Sequence, residues 1–106
     1  MSLCTHRATG VVAIATSLAP LRAFQLESVT VHLSAAGGAG NLTAILNAID
    51  GAEYDLNLIT QDMTAVTDFV FQPDRPLYFD AGDSIDFAWA NANGRTYGLA
   101  VKYSPL

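Results

Sequence analysis

Apolar residues recur at every second position along most of this chain, and that spacing constrains the fold more than any other feature. Ile85, Phe87 and Trp89 alternate with Asp86, Ala88 and Ala90. Tyr97, Leu99, Val101 and Tyr103 alternate with Gly98, Ala100 and Lys102, and Tyr54, Leu56 and Leu58 alternate with Asp55 and Asn57. Successive side chains of a strand point to opposite faces, so each pattern describes a strand with one face in a core and the other polar or small. No stretch carries a helical apolar stripe bounded by capping residues. The expected class is all-β.

The spacing predicts about eight short strands, over residues 10–16, 24–33, 42–49, 54–59, 66–71, 77–79, 84–91 and 96–103. A parity change at Glu27-Ser28 predicts a bulge in the second of them. Asp50-Gly51 suits a tight hairpin, Pro73-Asp74-Arg75-Pro76 a rigid turn, and Asp80-Ala81-Gly82-Asp83 a turn with a glycine free to take positive φ. Residues 35–41 form a Gly- and Ala-rich stretch read as a flexible loop. Asn91-Ala92-Asn93-Gly94 is expected to close a hairpin between the last two strands, with Trp89 anchoring the core near Phe87 and Leu99. Strands this short and turns this frequent imply an antiparallel β-sandwich, jelly-roll-like. A chain of 106 residues suffices for one such domain.

Charge narrows the functions. Only 14% of residues are charged, against about a quarter in ordinary soluble domains. That points to exposed faces covered with Ser, Thr, Asn and Ala together with a surface partly buried against a partner, and composition favours a closed homo-oligomer, a trimer first. The net charge is −5, and the basic residues Arg7, Arg22, Arg75, Arg95 and Lys102 are scattered. No basic stripe exists to neutralise phosphates, so neither nucleic acid nor an anionic membrane is an expected partner. The single cysteine, Cys4, leaves no intrachain disulfide, and no set of Cys and His ligands for zinc is present.

Groups that could do chemistry are few. His6 and His32 are the only histidines. His32 falls on the outward parity of its strand, with no nucleophile motif beside it. Asp80, Asp83 and Asp86 follow no calcium-loop spacing; Asp80 and Asp83 are read as turn caps and Asp86 as solvent-facing. No cofactor and no catalytic or metal-binding residue is expected, and the chain is read as a non-enzyme. Most aromatics lie on the inward parity. Tyr78 takes the opposite parity from Leu77 and Phe79, which makes it a candidate exposed contact residue.

The first 22 residues stand apart. Residues 2–21 contain no Asp or Glu, although the chain has ten. His6 and Arg7 precede an apolar run that ends in Ser17-Leu18-Ala19, superficially like a secretory leader. The run is too short to span a bilayer and is read as part of the folded protein. Residues 1–22 are assigned to an N-terminal arm or first strand, and residues 23–106 to the β-sandwich domain. If an arm, the slender residues Val11, Val12, Ile14 and Leu18, bracketed by Arg7 and Arg22, would dock on a neighbouring subunit by strand addition.

The order of parts resembles a known family. Val29-Thr30-Val31-His32-Leu33, the Gly-rich loop, Leu42-Thr43-Ala44-Ile45-Leu46, the block Leu77-Tyr78-Phe79-Asp80-Ala81-Gly82-Asp83-Ser84-Ile85, then Trp89-Ala90-Asn91 and Thr96-Tyr97-Gly98-Leu99-Ala100-Val101 together resemble small β-sandwich accessory proteins of tailed bacteriophage virions, the head decoration or cement proteins. The resemblance covers about three quarters of the chain. It implies a non-enzymatic structural protein that stabilises the phage head, made in the host bacterial cytoplasm and found in the virion. Its partners would be copies of itself and the major capsid protein or other virion proteins. The same rhythm of strands occurs in carbohydrate- and receptor-binding modules of phage tails and fibres, which is the alternative function.

Overall fold

The alternating segments become nine strands in two antiparallel sheets, seen in a computed structural model that describes residues 3–106. In chain order these are β1 (Cys4–Gly10), β2 (Ile14–Leu18), β3 (Phe24–Leu33), β4 (Asn41–Asn47), β5 (Leu56–Asp62), β6 (Asp68–Phe71), β7 (Leu77–Phe79), β8 (Ser84–Trp89) and β9 (Tyr97–Pro105). One sheet runs β1-β9-β3-β6, with β7 also paired to β3, and the other runs β2-β8-β4-β5. Strands β6 and β7 occupy successive stretches of the same edge of β3, separated by residues 72–76. Counting them as one position leaves eight, wound from sheet to sheet in jelly-roll order. The expected antiparallel sandwich is therefore the fold.

The two inward faces share one core, which includes Phe24, Val29, Val31 and Leu33 from β3, Phe87 and Trp89 from β8, and Leu99 and Val101 from β9. Each fully buried side chain of this size stabilises by roughly 1.5–3 kcal/mol. The bulge expected at Glu27-Ser28 is present as a register shift between Leu26 and Ser28. It turns Glu27 toward Ser104, whose hydroxyl donates to the carboxylate at 2.7 Å.

Several local expectations are corrected. The first strand, expected at residues 10–16, is two strands. β1 pairs with β9 and β2 with β8, so residues 11–13 carry the chain from one sheet to the other. Residues 54–59 are not one strand. Ala52–Tyr54 form a 3₁₀ turn, and β5 begins at Leu56. The β4–β5 register jumps from Ala44↔Ile59 to Ile45↔Asn57, leaving Leu58 as the extra residue of a bulge. The bulge switches parity, so Ile59 enters the core and Leu56 faces solvent. The turn at residues 91–94 does not close a hairpin, because β8 and β9 lie in different sheets. Residues 35–41 do not form a loose loop. Gly37 donates to the Val66 carbonyl and accepts from Ala65 N–H. A Cβ on Gly37 would lie 2.4 Å from the Met63 carbonyl oxygen, so glycine serves close backbone approach here.

Asn91 clamps this end of the sandwich. It is buried, with φ of 51°, a left-handed conformation that Asn tolerates better than most residues. Its Nδ2 donates to the Val12 and Arg95 carbonyls, and its Oδ1 accepts from Arg95 N–H. Asn91→Ala removes all three bonds and keeps the strained φ, so a loss of about 2–3 kcal/mol is expected in urea unfolding. Asn91→Gly relieves the φ and should lose less; equal losses would mean that the conformation contributes nothing.

Candidate contact surface

At the opposite end of the sandwich, three connections meet. They are residues 19–23 between β2 and β3, residues 48–55 between β4 and β5, and residues 80–83 between β7 and β8. The pairings Phe24↔Phe79, Leu18↔Ile85 and Asn47↔Ser84 place all three at this end.

Asp83 locks two of these connections together. It is buried, and its carboxylate accepts from Ile49 N–H at 2.9 Å and Asp80 N–H at 2.9 Å. Gly82 has a φ of 95°, and a Cβ there would come within 2.9 Å of the Ile49 side chain. The Asp55 carboxylate accepts from Ala48 N–H at 2.8 Å, which holds the 3₁₀ turn against β4. These contacts make a defined wall of the connection between β4 and β5.

Between that wall and β7 opens a cleft of about 280 Å³. Its lining includes Leu46, Leu56 and Leu58 on one side and Leu77 and Phe79 on the other, with Tyr54 and Tyr78 also lining it. Tyr54 is 61% exposed, Leu56 58% and Tyr78 62%. Among the described residues, eleven large apolar side chains are exposed, and seven of these belong to this end: Ile49, Tyr54, Leu56 and Tyr78 around the cleft, and Leu3, Leu21 and Leu106 beside it. So uneven a distribution makes this end the candidate contact surface.

Charge is as uneven. Seven of the ten acidic residues fall within residues 46–62 and 77–86, which contain no Lys, Arg or His. Asp50 and Asp80 line the cleft, and Glu53 and Asp55 are exposed on the same connection. In the three connections of this end, Arg22 is the one basic residue. It donates to the Leu106 main-chain oxygen at 3.0 Å. Its neighbour Leu21 is 83% exposed and has a φ of 65°. A left-handed conformation costs a residue with a branched side chain roughly 1–2 kcal/mol, and Leu21 recovers little of that through burial in its own subunit.

The residues singled out from sequence scatter. Arg22 and Tyr78 come together at the cleft end. Arg7 lies exposed on β1, and Val11 and Val12 lie exposed in the turn at the opposite end. Ile14 and Leu18 are corrected as accessible contacts: they are 1% and 2% exposed in this subunit's own core. Their strand is paired in register with β8, which is why they point inward. Tyr54, Leu56, Leu21 and Ile49 were not foreseen. Asp86 accepts from the Ser17 hydroxyl at 2.6 Å instead of facing bulk solvent alone. His6 Nε2 lies 2.9 Å from Thr16 Oγ1, and His32 pairs with Asp68 on the exposed face of β3 and β6. Among the described residues, no group of three or more His, Cys, Asp or Glu is arranged to hold a metal.

No protein-family model matches the chain, and no curated protein matches it. Solved structures with a similar layout of strands include the NLP core of Drosophila, whose crystal structure is described as giving insight into pentamer formation and histone binding. It is 10% identical, with a TM-score of 0.45 over 94% of this chain and 97% of that one. Another is the Yersinia pseudotuberculosis-derived mitogen YPM, 14% identical, with a TM-score of 0.42 over 99% of this chain and 86% of that one. Likeness at this level does not bear on what this chain does.

Proposed function

We propose that this chain is a non-enzymatic structural subunit of a phage virion, of the head decoration or cement kind. It works as a homo-oligomer that binds the major capsid protein or other virion proteins. The observation that supports this best is the cleft end, where seven of the eleven exposed large apolar side chains among the described residues gather. A low charged fraction and scattered basic residues agree with a protein that spends its life against protein neighbours. Light scattering coupled to size exclusion tests the central claim. The expected result is a discrete species of several times 11.2 kDa at micromolar concentration. A monomer across the accessible concentration range would overturn the oligomeric reading, and failure to co-sediment with phage heads would remove the capsid.

One observation favours the second reading, a carbohydrate- or receptor-binding module of a tail or fibre. Tyr54 and Tyr78 line one cleft with Asp50 and Asp80, which pairs ring faces for stacking with carboxylates that accept from sugar hydroxyls. Calorimetric titration with bacterial surface glycans separates the two. Saturable binding lost in Tyr78→Ala would support the module.

A further inference from the structure

We infer that the cleft end is a self-complementary surface, and that its occupant is the same end of a second copy related by a twofold axis. Leu21 of each copy seats against Tyr54, Leu56 and Tyr78 of the other, and Arg22 of each faces the other's Asp50 and Asp80. The inference rests on the reading that the chain self-associates, and it assigns the surface.

Three independent features carry it. The first is placement. The apolar knob and the apolar cleft lie on one end of the sandwich, since Phe24, which follows the knob, pairs with Phe79 of the cleft wall. A surface that holds both halves of a complementary pair is what a twofold contact requires, because residue i then meets residue j twice. The second is Leu21 itself. It is the most exposed large apolar side chain among the described residues, and it is held at positive φ. Strained backbone of this kind clusters at functional sites, and within its own subunit Leu21 buries little. The third is charge. Two acidic rims brought face to face would repel; Arg22, the basic residue of the three connections, stands next to the knob and would be carried to the rim of the partner. A twofold contact makes an even-numbered assembly, in place of the trimer suggested by composition.

The test uses the whole chain and four variants. Leu21→Asp accepts the same positive φ, so it should fold, with a urea midpoint no lower than that of the unaltered protein when both are diluted to monomer. It should halve the mass seen by light scattering, or weaken self-association at least tenfold. Arg22→Glu should weaken association similarly, and pairing it with Asp80→Arg in the same chain should restore part of the loss. Val12→Asp, at the opposite end, should leave the mass unchanged. If the unaltered protein is oligomeric and neither Leu21→Asp nor Arg22→Glu changes its mass, the surface assignment is wrong while self-association stands. If the unaltered protein is monomeric, both fall. A monomer whose cleft binds a soluble glycan saturably would give the cleft to the sugar instead.

Discussion

A chain that starts at Ala23 is expected not to fold. Such a chain lacks β1, which pairs with β9 from Cys4↔Tyr103 to Gly10↔Tyr97, and β2, which pairs with β8 from Ile14↔Trp89 to Leu18↔Ile85. It also lacks Ile14 and Leu18, both buried in the core. Deleting one buried Leu or Ile side chain costs about 2–5 kcal/mol. Two of them, with two strand ladders and newly exposed edges on β8 and β9, exceed the stability of about 5–15 kcal/mol that a domain holds in reserve. Far-ultraviolet circular dichroism and urea unfolding measure this directly. A cooperative transition in the shortened chain would return residues 1–22 to the role of an exchanged arm.

The second large effect belongs to Trp89. It is 2% exposed, and its six-membered ring comes within 3.3 Å of a Cβ built on Gly37. Truncation to Ala leaves a void lined by both sheets, and a loss of about 3–5 kcal/mol is expected in urea unfolding. A control separates volume from polarity. The indole Nε1 is buried and finds no hydrogen-bond acceptor in the protein, which by itself costs free energy. Trp89→Phe keeps most of the apolar volume and removes the unpaired N–H. It should therefore lose less than half as much as Trp89→Ala. Equal losses would show that neither the retained apolar volume nor the removal of the N–H offsets the loss of the indole.

Much of the fold was legible because alternation is a direct image of a half-buried strand. β8 and β9 carry it nearly unbroken, and both appear where expected. β1 was not legible. Its seven residues, Cys4 to Gly10, offer little apolar signal, and the strand exists because β9 supplies a partner. The pairing of β8 with β9 was misread for a related reason. A turn at Asn91 to Gly94 reverses the chain, but local chemistry does not say whether the chain stays in its sheet. Tyr78 was legible as an outward residue by parity with Leu77 and Phe79. Tyr54 and Leu56 were not, since the bulge at Leu58 reverses the parity on which the reading depended. Leu21 carried no signal either. Positive φ is announced by glycine or asparagine, and a leucine forced into it is visible only in three dimensions.

The pairing of the first strand with the last also sets a timetable. Cys4 meets Tyr103, 99 positions later (103 − 4). At a synthesis rate of about 5–20 residues per second, β1 waits roughly 5–20 seconds for its partner. Until β9 emerges, one edge of β3 also lacks its neighbour, and of that sheet only β3, β6 and β7 can pair. Contacts this distant in sequence make folding slow for the size of the domain. During translation the nascent chain thus carries open strand edges that chaperones or premature copies of itself can reach, so its yield in a cell should depend on how soon β9 is made.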